Sequence, residues 1–553
     1  MATVKKYSAI FILCFFQFAA CASYGDGSEV SYHSRHIPRE HIKFGTAMSE
    51  ALDKEKLYEV LENPEIIKTM RDFGVSVIET RLVWHESEPK RGEISYNRLE
   101  RDMNLIEKNG FKIGIFYWFQ HPPKWEKDIT RLRCLEHGED STIASLWDAK
   151  FLRQYERLAK DLADKYRDRI GFLYVGIYGD YGEVTYPLGV NHYIFSPPHN
   201  HTGFWSADNL AKADFKKKME DKYKSIAALN KAWRTNFKSF EDDITPKMPF
   251  GKNPLIMRLD YAKWYSDSLM DFTDKACSII RKYFPNTPMA MPLGCIFESI
   301  NGGQGQCKSM AAKIAAKYSM TARWTGLAHR RDFALTNVST RRISSAARFY
   351  GAKFGVEAAA GVVKEKVPAA IYEALANSAS MLHNDPSSIC SEIQQYGKYK
   401  NFVKCLPVHC DIAVFYPYQA EICGEIKNIA RLYEELADIR RHCDYELADE
   451  LMISDGFLSG IKDLILPKNC PIPRSTAEAL SNWEKKGGRI WYIKGNNPTI
   501  LESGQRLRLG KGIENFKRFG EFDGSYYTDH INIISKFNPK TGSIEFLKKK
   551  QKQ

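Results

Sequence analysis

The chain has 553 residues, 44% of them hydrophobic and 13% aromatic, too long for one small core and too apolar for a disordered polymer. Its formal charge of +13 is dispersed apart from Lys548-Lys549-Lys550, and no nucleic-acid module accompanies it. No nucleic-acid partner is expected, and the charge reads as solvated faces or as a match to an acidic glycan.

In chain order, the first feature is an export signal. Lys5 and Lys6 precede an apolar run over 9–20, and Ala20-Cys21-Ala22 offers a small-x-small cleavage site, so residues 1–22 read as a signal peptide. Its removal lowers the charge to about +11. The alternative is a lipoprotein site at Phe18-Ala19-Ala20-Cys21, with Cys21 acylated. Either way a secreted or extracytoplasmic protein is expected, and twelve scattered cysteines agree with export. The run is short for a membrane span, and no later stretch is longer and apolar enough, so no span is expected.

From about residue 40 to residue 390, within a barrel domain assigned to 23–400, short β-branched or aromatic runs alternate with amphipathic stretches, the pattern of a parallel sheet wrapped by helices. Eight strands are predicted, over 43–48, 75–84, 112–120, 170–178, 287–292, 322–326, 353–357 and 380–384. Helices are predicted between them, among others over 96–109, 151–166, 257–283 and 339–350. The fold class is α/β, a (β/α)8 TIM barrel. An insertion over 187–256, with Phe204-Trp205-Ser206 inside it, reads as a lid or wall. Residues 405–495 predict a smaller flavodoxin-like α/β domain, and residues 496–553 a β-rich tail with a disordered end.

Barrel enzymes carry their chemistry at the C-terminal ends of the strands, where the βα loops open. Two carboxylates stand there. Glu183 follows the fourth strand in Tyr178-Gly179-Asp180-Tyr181-Gly182-Glu183, and Glu357 ends the seventh in Phe354-Gly355-Val356-Glu357. Hydrolysis of a glycosidic bond needs two such groups: one protonates the leaving oxygen, and the other attacks the anomeric carbon or activates water. Asp180 competes for the acid role, or orients Glu183 or binds a hydroxyl; Glu298 and Asp332 are further carboxylates. Trp118 and His121, in Phe116-Tyr117-Trp118-Phe119-Gln120-His121-Pro122-Pro123, suit a sugar platform with a polar contact beside it. His137 and Trp147 are additional candidate substrate contacts. No Cys-x-x-Cys or His-x-x-x-His spacing points to a metal, and no metal or organic cofactor is expected.

From Trp84 the pattern becomes specific. Trp84 with Glu88-Pro89 and Gly92, then Asn109-Gly110-Phe111-Lys112 and Pro122-Pro123-Lys124-Trp125, resembles the family 42 glycoside hydrolases, β-galactosidase-like members of a retaining (β/α)8 clan. Gly203-Phe204-Trp205-Ser206, Leu229-Asn230-Lys231-Ala232-Trp233 and Asp444-Tyr445-Glu446-Leu447-Ala448-Asp449 extend the resemblance over about residues 40–495. It implies a glycoside substrate, Glu183 as acid/base, Glu357 as nucleophile, and a second domain that assembles a homotrimer. The clan places an Asn that bonds the sugar 2-hydroxyl before its acid/base; here Gly182 stands there, leaving Asp180 or Tyr178 to take that role. The Gly179-x-x-Gly182-Glu183 shape also resembles the inverting β-amylases, which act on α-glucans. A glycan-binding protein on a retired barrel is the non-enzymatic alternative. The second domain's Cys470, in Asn469-Cys470-Pro471, lacks the Gly-flanked turn of an amidotransferase nucleophile.

Overall fold

In a computed structural model of the chain, strand formation follows the apolar runs. The described residues are 43–46, 54–187, 201–294, 304–325, 333–357, 374, 377–384, 410–440, 442–519, 526–530, 533–538 and 543–548. The signal segment with Cys21, the acids Glu298 and Asp332, the start of the insertion over 188–200, and the barrel's end near 400 lie outside them.

Eight parallel strands close a barrel: β1 (Lys43–Thr46), β2 (Val75–Val83), β3 (Lys112–Trp118), β4 (Ile170–Tyr174), β5 (Met289–Leu293), β6 (Thr321–Thr325), β7 (Lys353–Glu357) and β8 (Met381–Asn384). The ring closes where β1 pairs with both β8 and β2. From Ile113 onward every residue of β3 is buried, as expected of a parallel strand covered on one face by side chains of the barrel interior and on the other by helices. The chain is a (β/α)8 TIM barrel. The fourth strand is shorter than its apolar run predicts, ending at Tyr174 and not at 178. Beyond it the backbone turns back on itself, with the Ile177 amide donating to the Gly182 carbonyl at 2.8 Å and that of Tyr178 to Glu183 at 3.2 Å.

The described part of the insertion is a packed wall. Helices Asn209–Tyr223 and Ile226–Trp233 start on side-chain caps from Asp208 and Ser225. They bury Phe215 and Trp233 against the long helix Leu255–Tyr283, where Asp260 accepts from Trp233 Nε1 at 2.9 Å and from the Tyr223 hydroxyl at 2.5 Å.

Beyond the barrel lies a five-stranded sheet of β9 (Ile412–Phe415), β10 (Glu446–Ala448), β11 (Asp463–Ile465), β12 (Arg489–Ile493) and β13 (Lys511–Ile513), ordered β10-β9-β11-β12-β13. All its pairs are parallel, and the order 2-1-3-4-5 is that of flavodoxin-type doubly wound sheets. Three antiparallel strands, Tyr526–His530, Ile533–Asn538 and Ser543–Lys548, follow.

Barrel helix Phe333–Tyr350 is shared between the two sheets. Its Arg348 grips Glu446 of β10 through two nitrogens at 3.1 and 2.5 Å, and its Arg342 reaches Asp449 at 3.2 Å while stacking 3.9 Å over the Tyr416 ring. These four charged side chains are at most 6% exposed. Burial alone would lift the Glu446 carboxyl; the Arg348 guanidinium overcomes that and holds it below the usual range. Removing one partner strands a buried charge, so Arg348→Met is expected to lower unfolding free energy by about 3–5 kcal/mol. The double variant Arg348→Met/Glu446→Leu is expected to recover most of that loss in denaturant titrations.

Candidate active site

Register fixes the first part of the site. Thr325 at the end of β6, Glu357 at the end of β7 and His383 on β8 are cross-strand partners in one layer. Arg323, two residues before Thr325, lies on the same face of β6. Its guanidinium pairs with Glu357 Oε2 and donates to His383 Nδ1 at 2.7 Å. A guanidinium can only donate, so His383 carries its proton on Nε2, which stands 3.2 Å from Glu79 Oε2 of β2. The rings of Phe116 and Tyr174 lie 5.7 and 5.3 Å from the Arg323 guanidinium carbon, and Tyr174 stacks on His383 at 4.5 Å.

Glu183 arrives from the turned-back loop after β4. Its carboxyl lies against Gly294, just past β5, so closely that a Cβ on that glycine would sit 1.9 Å from Oε2. The Thr325 hydroxyl donates to Glu357 Oε2 at 3.2 Å, and it also moderates the proton affinity of Glu183. Both residues are 8% exposed.

Their electrostatics differ. Burial, with the nearby Glu357 and Asp180 charges, outweighs the Thr325 hydroxyl and the Arg323 cation and pushes Glu183 up to about 7. Burial lifts Glu357 too, but Arg323, in direct contact, and Thr325 oppose the lift. A pair of acids that differ in proton affinity is the division that acid/nucleophile chemistry needs.

The other predicted contacts divide between the site and the packing around it. Trp118 is brought to Glu183's loop: its indole edge fills the space beside Gly182, where a Cβ would meet Cδ1 at 2.9 Å and Nε1 at 3.1 Å. Gly182 has φ +73°, a left-handed conformation that also favours glycine. The Arg81 guanidinium covers the Trp118 ring at 4.8 Å, and Tyr181 meets its edge at 5.8 Å. Trp118 Nε1 and Arg81 Nε and Nη1 are buried without a hydrogen-bond partner among the described residues. His121 lies 3.1 Å from the Asp180 carbonyl oxygen, and burial pushes its imidazole down to about 3, keeping it neutral. Asp180 is buried near Glu183.

Tyr178 is not brought to the pair. Its hydroxyl donates to the Ala144 carbonyl, and its ring packs with Phe151, Phe272 and Tyr186 behind the barrel. With the hydroxyl already committed, Tyr178 does not supply the missing Asn function. Trp147 likewise stacks on Trp264 at 5.3 Å and donates to Ser268 at 3.3 Å. His137 lies beside Cys134 and His201, the described cluster whose donor atoms could hold a metal ion.

Arg323, Thr325, Glu79, His383 and Gly294 were not among the predicted site residues. Period-two reading of Arg323-Trp324-Thr325 places Arg323 on the face of Thr325, and a lone charge inside an apolar strand is the signal that marks it.

A closed (β/α)8 barrel with paired carboxyls at the ends of its fourth and seventh strands has the architecture of the barrel glycoside hydrolases. The family model described as beta-galactosidase, glycoside hydrolase family 42, matches residues 59–350, more than half of the chain, and the chain belongs to that family. It is 22% identical over 256 residues to Beta-galactosidase LacZ of Heyndrickxia coagulans, covering 43% of this chain and 35% of that protein. It is 24% identical over 248 residues to Beta-galactosidase BgaP of Planococcus sp. (strain L4), covering 41% and 34%. The match thus spans about a third of the length of these relatives. Among solved structures, Gan42B, a family 42 β-galactosidase from G. stearothermophilus, superposes with TM-score 0.64 at 14% identity, over 92% of this chain and 80% of that one. A family 42 exo-carrageenase from Bacteroides ovatus superposes with TM-score 0.59 at 12% identity, over 91% and 77%.

Because Gly294 leaves Glu183 its place, Gly294→Ala is expected to displace the carboxyl by about 1 Å and to cut glycoside turnover about 10²-fold. Steady-state kinetics, with circular dichroism to verify the fold, checks this.

Proposed function

We propose that this protein is an exported, retaining, exo-acting glycosidase of β-galactosides, with Glu183 as acid/base and Glu357 as nucleophile. The observation that carries the reading is a pair of buried neighbouring acids of different proton affinity, Glu183 pushed up to about 7 and Glu357 in direct contact with Arg323. Glu183, neutral, gives its proton to the departing oxygen while Glu357 attacks the anomeric carbon. Water then releases the sugar from Glu357 as Glu183 takes the water's proton back. Family membership and the β-galactosidase names of the relatives support the substrate class. Export rests on the segment over 1–22, and a trimer on the resemblance of the second domain.

Trp118 supplies what Gly182 lacks. An indole N–H buried without an acceptor costs about 1–3 kcal/mol, and a sugar hydroxyl beside Glu183 relieves it. Arg81, with two unmatched donors against the same ring, forms a second polar contact for the sugar.

Glu183→Gln is expected to lower kcat on nitrophenyl β-galactoside about 10²–10⁴-fold, and Glu357→Gln at least as much. Undiminished turnover in either variant rejects the assignment, and a wild type inert on a panel that includes carrageenan oligosaccharides favours a glycan binder. Proton NMR is expected to show the β anomer released first; release of the opposite anomer means inversion.

The general acid works only while protonated, so kcat/KM is expected to fall as pH rises through about 7. The nucleophile works only while ionised and governs the acid limb. In Glu183→Gln the alkaline limb should vanish.

Trp118→Phe keeps the ring and removes the donor, with an expected loss of about 10-fold in kcat/KM. A 2-deoxygalactoside should show no further loss in Trp118→Phe, whereas an equal further loss assigns the bond to another residue.

A further inference from the structure

We propose that Arg81 reads an anionic substituent, a sulfate ester or a carboxylate, on the sugar held beside Glu183. Given the glycosidase reading on which this rests, Arg81 selects charged over neutral galactosides. Residues two apart on a strand share a face. Glu79 of β2 meets His383 in the barrel interior, so Arg81 stands on the same face, one step nearer the mouth. Its partner across β3 is Phe116, and Trp118, the next ring on that face, lies under the guanidinium carbon at 4.8 Å. The edge of the same indole fills the space beside Gly182. One ring thus links Arg81 to the loop that carries Glu183.

The cation is short of negative charge. Its side chain is 4% exposed, and taking a cation out of water is costly unless an anion accompanies it. The acid in contact, Glu86, meets Nη2 only at 3.5 Å and is 30% exposed. Glu86 stands closer to Arg98, at 2.7 Å, so one carboxylate serves two guanidiniums. Glu79, one step deeper, is lifted by burial well above the usual carboxylate range, which weakens it as a counter-charge. Burial outweighs the Glu86 charge and pushes Arg81 down to about 10, still a cation at neutral pH. His121, whose ring lies 6.3 Å from that of Trp118, registers the same field: burial, with the positive charges of His85, Arg81 and Arg131, opposes its protonation.

Hydrogen-bond chemistry leads to the same ligand. Nη2 goes to Glu86, while Nε and Nη1 are buried without a hydrogen-bond partner among the described residues. With Trp118 Nε1, the three unmatched nitrogens at this ring are all donors. A neutral hydroxyl can accept from them, but it brings a proton that needs an acceptor of its own. A sulfate or carboxylate oxygen accepts without donating, supplies the missing charge and suits the planar fork of a guanidinium. The Trp118 N–H stays with the sugar hydroxyl, and the two unmatched nitrogens of Arg81 take the oxyanion.

The test compares galactose, galactose 6-sulfate, galactose 4-sulfate and galacturonate on the full chain, as free ligands in calorimetry and as nitrophenyl β-glycosides in kinetics. The wild type is expected to bind at least one charged sugar about 10- to 100-fold more tightly than galactose, with a similar gain in kcat/KM for its glycoside. Preference for a sulfated sugar assigns a sulfate ester, and preference for galacturonate a carboxylate. In Arg81→Gln the charged-to-neutral ratio is expected to fall to about one, and Arg81→Lys, which keeps the charge without the fork, to retain part of it. Binding is read without turnover, so a charged-sugar preference in a protein that hydrolyses none of the glycosides supports the Arg81 assignment while rejecting hydrolysis. No gain for any charged sugar in either measurement overturns the assignment, whatever the turnover of the neutral galactoside. A preference that survives in folded Arg81→Gln overturns it as well.

Discussion

Arg323 is the charge around which the barrel interior is arranged. Taking a carboxylate out of water costs several kcal/mol unless a cation accompanies it. The interior holds Glu79, Glu183 and Glu357, each at most 8% exposed. Arg323 moderates the proton affinity of all three but touches only Glu357 among them. Contact holds one acid toward its ionised form, while distance leaves the others under the influence of burial. The guanidinium is itself sustained by the faces of Phe116 and Tyr174 and by the imidazole of His383. A single buried cation thereby gives two chemically identical side chains different proton affinities.

Much of the barrel was legible because parallel strands buried on both faces leave short, nearly continuous apolar runs between amphipathic helices. Glu357 could be read because it ends such a run, and its strand matches 353–357 to the residue. Glu183 could be read from the glycines around it. Thr325 and Arg323 could not be weighted, since their value comes from register with β7 and β8, which one sequence does not display. Aromatic residues misled for a related reason. Tyr178 and Trp147 have the composition of sugar contacts, yet both face the helical layer, where large rings fill space and their polar edges need internal acceptors. Gly294 carries no sequence signal at all; its meaning is the absence of a Cβ where a carboxyl rests.

The exchange of Asn for Gly182 becomes intelligible once Trp118 is seen beside it. The indole occupies the volume a longer side chain would take, and the positive φ makes the backbone unfavourable for one. Two positions far apart in sequence thus form a single steric unit. The insertion shows the same economy of space: the sequence pattern of a long loop is met by two capped helices whose Trp233 and Tyr223 converge on one buried acid, Asp260. Its described part is rigid architecture around the site.

The arginine-rich helix Phe333–Tyr350 has a consequence for how the protein is made. One side of it covers strands of the barrel, and the other meets Glu446 and Asp449 of the following sheet in a dry interface. During synthesis the barrel segment emerges from the ribosome before its acidic counterparts, so until about a hundred more residues have been translated these guanidiniums face solvent. Docking then desolvates both signs together. The downstream sheet thus supplies the counter-charges that this barrel helix buries.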